Sequence, residues 1–166
     1  MWWTALIPFG FQAVVIAVDE CVFHIQRDLP KWERIGHPLD TLTVLFCMGY
    51  VLLVPFSKTA MIVYVCLAVF SSLFVTKDEF VHKKHCPASE QWLHAVLFTM
   101  HPVVLATAGF IWPVVQGARV SPWIAHWLDN ALALRLFLWG QCAAMTVFFL
   151  YQIIYWNWIR DQQRIL

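Results

Sequence analysis

Five long apolar runs divide the chain, and they limit its folding more than any other feature. A helix needs about 20 apolar residues to cross a bilayer, and each run is close to that length. We place the five spans at residues 3–23, 39–56, 58–76, 90–115 and 131–158. The chain is 61% hydrophobic and only 13% charged, whereas a soluble domain carries about 25% charged residues. These values exclude a soluble enzyme and a nucleic-acid-binding chain, and they predict an all-α polytopic membrane protein.

The connections between the runs predict two helical hairpins followed by a fifth helix, all in a single transmembrane domain. Repeat 1 covers about residues 1–56 and repeat 2 about residues 57–117. We interpret them as a parallel internal repeat about an axis along the membrane normal. The dipeptide Ser121-Pro122 is typical of a helix start, with an N-cap followed by proline. It predicts a short interfacial helix before the fifth span, within residues 121–160.

The basic residues predict the orientation of the chain. Eight of the eleven Lys and Arg residues fall on one side of the predicted membrane, namely Arg27, Lys31, Arg34, Lys77, Lys83, Lys84, Arg160 and Arg164. Cytoplasmic loops carry the excess of Lys and Arg. We therefore expect the N-terminus outside and the C-terminus in the cytoplasm of a plasma or inner membrane.

Two polar loops on the cytoplasmic side carry the same order of acids and histidines. Both follow the pattern acid pair, His, Pro and Glu-x3-His, with the members Glu20, His24, Pro30, Glu33 and His37 in the first loop and Glu79, His82, Pro87, Glu90 and His94 in the second. Each Glu precedes its His by three or four residues, so the two side chains share a helix face. Carboxylates and imidazoles from four facing helices are typical of a di-metal site in a bundle.

We therefore predict a metal centre at the cytoplasmic helix ends. Its predicted ligands are Glu20, His24, Glu33, His37, Asp40, Glu79, His82, Glu90, His94 and His101, and the catalytic carboxylates among them are Glu20, Glu33, Glu79 and Glu90. Three assignments stay open: His85 could face solvent, Asp40 could be an acid that the helix dipole favours, and His101 could be a buried histidine with another partner. The simpler alternative for each Glu–His pair is a solvated helix end.

Asp19 and Asp78 each precede one of these Glu residues. On an α-helix they would face away from the Glu–His pair. We expect them to pair with Lys or Arg, or to accept hydrogen bonds from ligand histidines.

This ligand pattern resembles that of membrane-bound di-iron oxygenases of the desaturase and hydroxylase type. The resemblance covers about 80 residues, from Asp19 to His101, although the HxxxH and HxxHH boxes of that group are missing. It implies two Fe ions, with Zn or Mn as alternatives, because mixed imidazole and carboxylate ligation suits all three. It also implies an O2-dependent oxidoreductase that acts on a membrane lipid or lipid-like substrate. Since the sequence has no nucleotide-binding motif, electrons would come from a separate donor protein.

Three other functions are compatible with the same residues. A zinc-dependent lipid hydrolase needs only three protein ligands and a water. A metal carrier or transporter needs a continuous polar path, and spans two, three and five offer few polar residues for one. A b-type haem held by His37 and His94 leaves the carboxylates unexplained. The five cysteines form no CxxC pair, which argues against a thiolate-bound zinc or an iron–sulfur cluster.

Overall fold

A computed structural model of the chain describes residues 1–26, 29–79 and 86–160, and these residues form an all-helical bundle. The α-helices are α1 (Ile7–Val18), α2 (Lys31–Leu53), α3 (Lys58–Phe74), α4 (Ala88–Val115), α5 (Pro122–Trp127) and α6 (Ala131–Ile154). Together with short 3-10 and π-helical extensions, five stretches are long and apolar enough to cross a membrane: Trp2–His24, Lys31–Leu53, Lys58–Lys77, Ala88–Val115 and Ala131–Ile159. The predicted all-α membrane fold with five spans is confirmed.

The helices α2 and α4 begin in the same way. Each follows a proline, Pro30 or Pro87, whose backbone is extended. Each then has a glutamate in its first turn, Glu33 or Glu90, where the helix dipole favours a negative charge. The helix α2 begins at Lys31, eight residues before the predicted start at residue 39. Its first turns are charged, so the apolar pattern did not reveal them.

The connection between α2 and α3 is short because local sequence signals end one helix and start the next. Val54 precedes Pro55 and is extended, since a residue before proline is driven out of the α-helical conformation. Ser57 then caps α3, and its side chain accepts a hydrogen bond from the backbone N–H of Ala60 at 3.1 Å. The helices α2 and α3 therefore pack against each other as a tight hairpin.

Helix packing brings distant parts of the chain together. The helix α1 packs along α4, and α2 packs along α3, α4 and α6. The buried apolar core lies toward the C-terminal ends of α2 and α4, where Trp112 is fully buried and makes edge contacts with Tyr50 and Phe56 at centroid distances of 5.5 and 5.3 Å. The buried acidic side chains, such as Asp19, Glu33 and Glu90, lie at the opposite end of the bundle.

The helices α3 and α4 approach each other closely at one glycine. A Cβ atom on Gly109 would lie 2.7 Å from Cε1 of Tyr64. The hydroxyl of Tyr64 donates a 2.6 Å hydrogen bond to the carbonyl of Leu105, one turn earlier on α4. Small residues allow such approaches between membrane helices. The absence of a Cβ atom on Gly109 leaves room for the Tyr64 ring.

Candidate metal centre

The end of α1, the starts of α2 and α4 and the end of α6 meet at the polar end of the bundle. One ligand atom from each of Asp19, His24, Glu90 and His94 lies within 4.8 Å of the others, and all four residues are buried. Two ligands that each lie about 2 Å from an ion are at most roughly 4 Å apart. A slight contraction of this group would therefore suffice to hold one metal ion.

A π-helical turn supplies two members of this group. Residues Asp19–His24 are wound as a π-helix, and the N–H of Ile25 bonds to the carbonyl of Glu20 at 3.0 Å, five residues earlier. In such a turn, residues five apart come to one face, so Asp19 and His24 point the same way. An α-helix would have separated them, and the expectation that Asp19 faces elsewhere rested on that spacing. Short π-turns of this kind are frequent at functional sites.

Asp19 joins the two histidines of the group. His94 Nε2 lies 3.1 Å from Asp19 Oδ1, and His24 Nε2 lies 3.3 Å from Asp19 Oδ2. His24 Nε2 also lies 3.9 Å from Glu90 Oε1. Within the described residues, this nitrogen has no hydrogen-bond partner although it is fully buried. A buried nitrogen between two carboxylates is a favourable place for a positive charge, either a proton on His24 or a bound cation.

A second group overlaps with the first. Ligand atoms of His24, Glu33 and His37 also lie within 4.8 Å of one another. Glu33 is completely buried, His37 is half-buried, and the rings of His24 and His37 are 4.8 Å apart between centroids. The two groups together contain three carboxylates and three imidazoles. Buried acids of this number are costly in a membrane, and a bound cation would offset that cost.

Glu20 belongs to neither group, although the sequence places it among the ligands. Its Oε2 accepts a hydrogen bond from His24 Nδ1 at 3.0 Å. Its Oε1 accepts from the hydroxyl of Tyr151 at 2.7 Å and from the indole N–H of Trp156 at 2.9 Å. Both oxygens are therefore engaged by donors. The carboxylate fixes the His24 ring with Nδ1 protonated, which leaves Nε2 as the ligand atom.

His101 and Asp40, two of the residues whose ligand role is open, have other partners. His101 Nε2 bonds to Ser71 Oγ at 2.9 Å, and Ser71 bonds in turn to Thr43 Oγ1 at 2.7 Å. Asp40 Oδ1 accepts from Lys77 Nζ at 2.6 Å. These bonds tie α2 to the end of α3, to the 3-10 turn Val75–Asp78 that follows it and to the middle of α4. Both residues therefore stabilise the packing of the bundle beside the cluster.

The second acid–His pair of the predicted repeat is not part of either group within the described residues. Glu79 has an exposed side chain one residue after the 3-10 turn Val75–Asp78. His82 and His85 lie outside the described residues. The structure thus brings together Glu33, His37, Glu90, His94 and His24 from the predicted set, and it adds Asp19.

A cavity of about 330 Å³ adjoins the cluster and extends into the bundle between α1, α2, α4 and α6. At one end it is lined by Asp19, Glu20, His24, His37 and His94. At the other end Phe9, Met48 and Val104 form its wall, and most of its lining is apolar. The candidate metal centre therefore faces an apolar chamber inside the membrane.

Comparisons with models of protein families, with curated proteins and with solved structures found no match for this chain.

Proposed function

We propose that this protein is an intramembrane metalloenzyme, a di-iron oxidoreductase that acts with O2 on a lipid-like substrate. One observation carries the proposal: a cluster of three carboxylates and three imidazoles, all buried except the half-buried His37, adjoins an apolar cavity between membrane-spanning helices. Mixed imidazole and carboxylate ligation suits iron, and carboxylates with histidines from facing helices suit a pair of ions.

In such an enzyme the cluster residues would bind the metal ions, and the cavity residues would bind the substrate. Asp19, His24, Glu90 and His94 would hold one ion, and Glu33 with His37 would contribute to a second. Bound iron would supply the activation of O2. The apolar cavity would orient the hydrocarbon part of the substrate and exclude water from the reacting end. Electrons would come from a separate donor, and the centre would lie at the cytoplasmic face of a plasma or inner membrane.

A zinc-dependent lipid hydrolase is the second candidate, because the two groups share His24. Its Nδ1 is engaged by Glu20, so it has one nitrogen to offer and can serve one ion. A single zinc with three protein ligands and a water would need only the first group. The fourth member, a carboxylate, would then serve as general base. The apolar wall around Phe9 and Met48 is less suited to the carrier hypothesis, which needs a polar path.

The test is the metal content of the purified full-length protein by mass spectrometry, with matched variants. We expect about two Fe per chain in the wild type, as in other two-ion bundle sites. Asp19→Asn and His94→Ala should remove the ion of the first group, and Glu33→Gln should remove the other. Glu79→Gln is the control, since its exposed side chain is outside both groups.

The stoichiometry separates the candidates. Iron in the wild type should be accompanied by O2 consumption with a reductant and long-chain substrates. About one zinc per chain, lost in His94→Ala but kept in Glu33→Gln, would favour the hydrolase. A wild-type protein that binds no metal would contradict both.

A further inference from the structure

The cavity beside the cluster is about as long as one lipid tail. It follows α1 from Glu20 to Phe9, a distance of about 16 Å at 1.5 Å per residue. The hydrocarbon core of a bilayer is about 30 Å thick, so one leaflet contributes about 15 Å. The volume of about 330 Å³ is near the lower end of the roughly 300–1,000 Å³ of ligand pockets. Both dimensions favour a single alkyl chain over two.

The helices α1 and α6 form one side of this cavity and are joined at two points. Near the core, Phe9 and Phe137 make an edge contact with centroids 5.3 Å apart. At the cluster end, Tyr151 and Trp156 donate hydrogen bonds to Glu20. We call the stretch between these two points the α1–α6 seam.

Small exposed residues line the seam. Ala13 and Ala17 on α1 and Ala144 on α6 line the cavity, and all three are exposed. A side chain that both lines a cavity and is exposed marks where the cavity opens. Both helices belong to membrane-spanning stretches, so this opening faces the lipid. The buried Nε2 of His24 lies at the cluster end of the same cavity and has no hydrogen-bond partner among the described residues.

We propose that the α1–α6 seam is a lateral portal through which a single-chain amphiphile, of the fatty acid or fatty alcohol class, enters from the adjoining leaflet. Its alkyl chain lies along the cavity toward Phe9 and Met48, and its oxygen-bearing end lies at the cluster beside His24. This substrate class rests on the proposed function, since it takes the cluster as the reacting centre. Entry through the seam is read out by where a probe cross-links in the cavity, a measurement that is separate from enzyme activity.

The experiment uses the full chain in lipid nanodiscs and a photoreactive palmitate analogue as the probe. Cross-links are mapped by mass spectrometry at Met48 and Val104, which line the cavity and are buried from the membrane. We expect labelling there that unlabelled palmitate competes away. Ala17→Phe and Ala144→Phe should each reduce it about tenfold or more, equivalent to ~1.4 kcal/mol of binding free energy.

The matched control is Ala143→Phe, because Ala143 is exposed on the same helix but does not line the cavity. It should leave labelling unchanged. Equal losses in Ala143→Phe and Ala144→Phe, or stronger cavity labelling by a diacyl phosphatidylcholine with the same reactive chain, would overturn the proposal. Elution profiles confirm that each variant is folded.

Metal content is measured on the same samples. Cavity labelling that the seam variants block, in a protein without metal, would support the portal while contradicting the proposed enzyme. Metal binding without cavity labelling would do the reverse.

Discussion

At the scale of single residues, the hydrogen bonds of Glu20 define its role. The spacing of Glu20 and His24 predicts that both side chains face one ion, and they do contact each other at 3.0 Å. The sequence could not show that Tyr151 and Trp156 occupy the other oxygen of this carboxylate, because they lie more than 130 residues away. Glu20 therefore positions His24 instead of joining either ligand group.

The first prediction concerns this positioning role. Glu20→Gln keeps the size of the side chain and removes its charge, so His24 loses a charge-assisted partner. We expect metal affinity to fall about 10–100-fold, as is typical when such a partner is lost, while the stoichiometry at saturating metal is unchanged. Titration against a competing chelator measures both quantities.

Two comparisons complete that test. Tyr151→Phe removes one donor to Glu20 and should weaken metal binding less than Glu20→Gln. A Glu20→Gln protein that fails to fill even at saturating metal would instead make Glu20 a ligand, as the sequence predicts.

Three other residues show where pattern alone is insufficient. Asp40 and His101 lie on the expected helix faces, but Lys77 and Ser71, from another helix segment, are their partners. Glu79 lies in a matching motif, yet its side chain is exposed. The pattern could place a residue on a helix face, but the neighbouring helix decides which groups it meets.

At the scale of secondary-structure elements, helix winding explains the main addition to the site. The α-helical period predicts that Glu20 and His24, four residues apart, share one helix face. The π-turn at Asp19–His24 also aligns Asp19 with His24. By contrast, the sequence does predict that α2 and α4 start alike, because a proline followed by Glu-x3-His occurs in both. The sequence motifs therefore predicted how these two helices start, but no motif predicted the change from α-helical to π-helical winding at Asp19–His24.

The second prediction concerns the contact between α3 and α4. Gly109→Ala would place a Cβ atom 2.7 Å from the Tyr64 ring, which is 2% exposed and bonded to Leu105. We expect the free energy of unfolding to fall by about 1–3 kcal/mol, the usual cost of overpacking. Unfolding of the detergent-purified protein by heat or SDS measures the change.

Two other helical glycines provide the controls for Gly109. A Cβ atom at Gly49 or Gly140 would meet nothing within 4 Å. Gly49→Ala and Gly140→Ala should therefore leave stability unchanged or raise it by up to ~1 kcal/mol through helix propensity. If all three substitutions gave the same result, the close approach would not determine the packing.

At the scale of the whole molecule, the sequence predicts the membrane spans but not which helices pack against each other. Hydropathy gives five spans because the bilayer sets their length, and all five are present. The packing of α1 along α4 and of α2 along α6 depends on side chains far apart in the sequence. The cavity results from that packing, so no motif in the sequence indicates it.

The third prediction concerns the stability of the whole bundle. An ion bound between residues of α2, α4 and the π-turn after α1 stabilises the folded state relative to the unfolded one. Free metal at 100 times its dissociation constant should add about 2.7 kcal/mol to the free energy of unfolding. We expect Tm to rise with metal concentration and to fall with a chelator, in thermal scans of the purified protein.

Substitution variants test whether the rise in Tm comes from metal bound at the cluster. Asp19→Asn and His94→Ala should lose the part of the Tm response that comes from the ion of the first group, and Glu33→Gln should lose the part from the other ion. Glu79→Gln should respond like the wild type. A metal-dependent rise in Tm that is as large in His94→Ala as in the wild type would place the first ion elsewhere in the chain.

The last helix also sets when the hydrogen bonds around the centre can be completed during biosynthesis. Glu20 emerges from the ribosome early, but its partner Tyr151 follows 131 residues later. At about 5–20 residues per second this delay is roughly 7–26 s. Throughout that interval Glu20, which orients the His24 ring, lacks the hydrogen bond from the Tyr151 hydroxyl. We therefore expect the ion to be acquired after translation, by a finished and membrane-inserted chain.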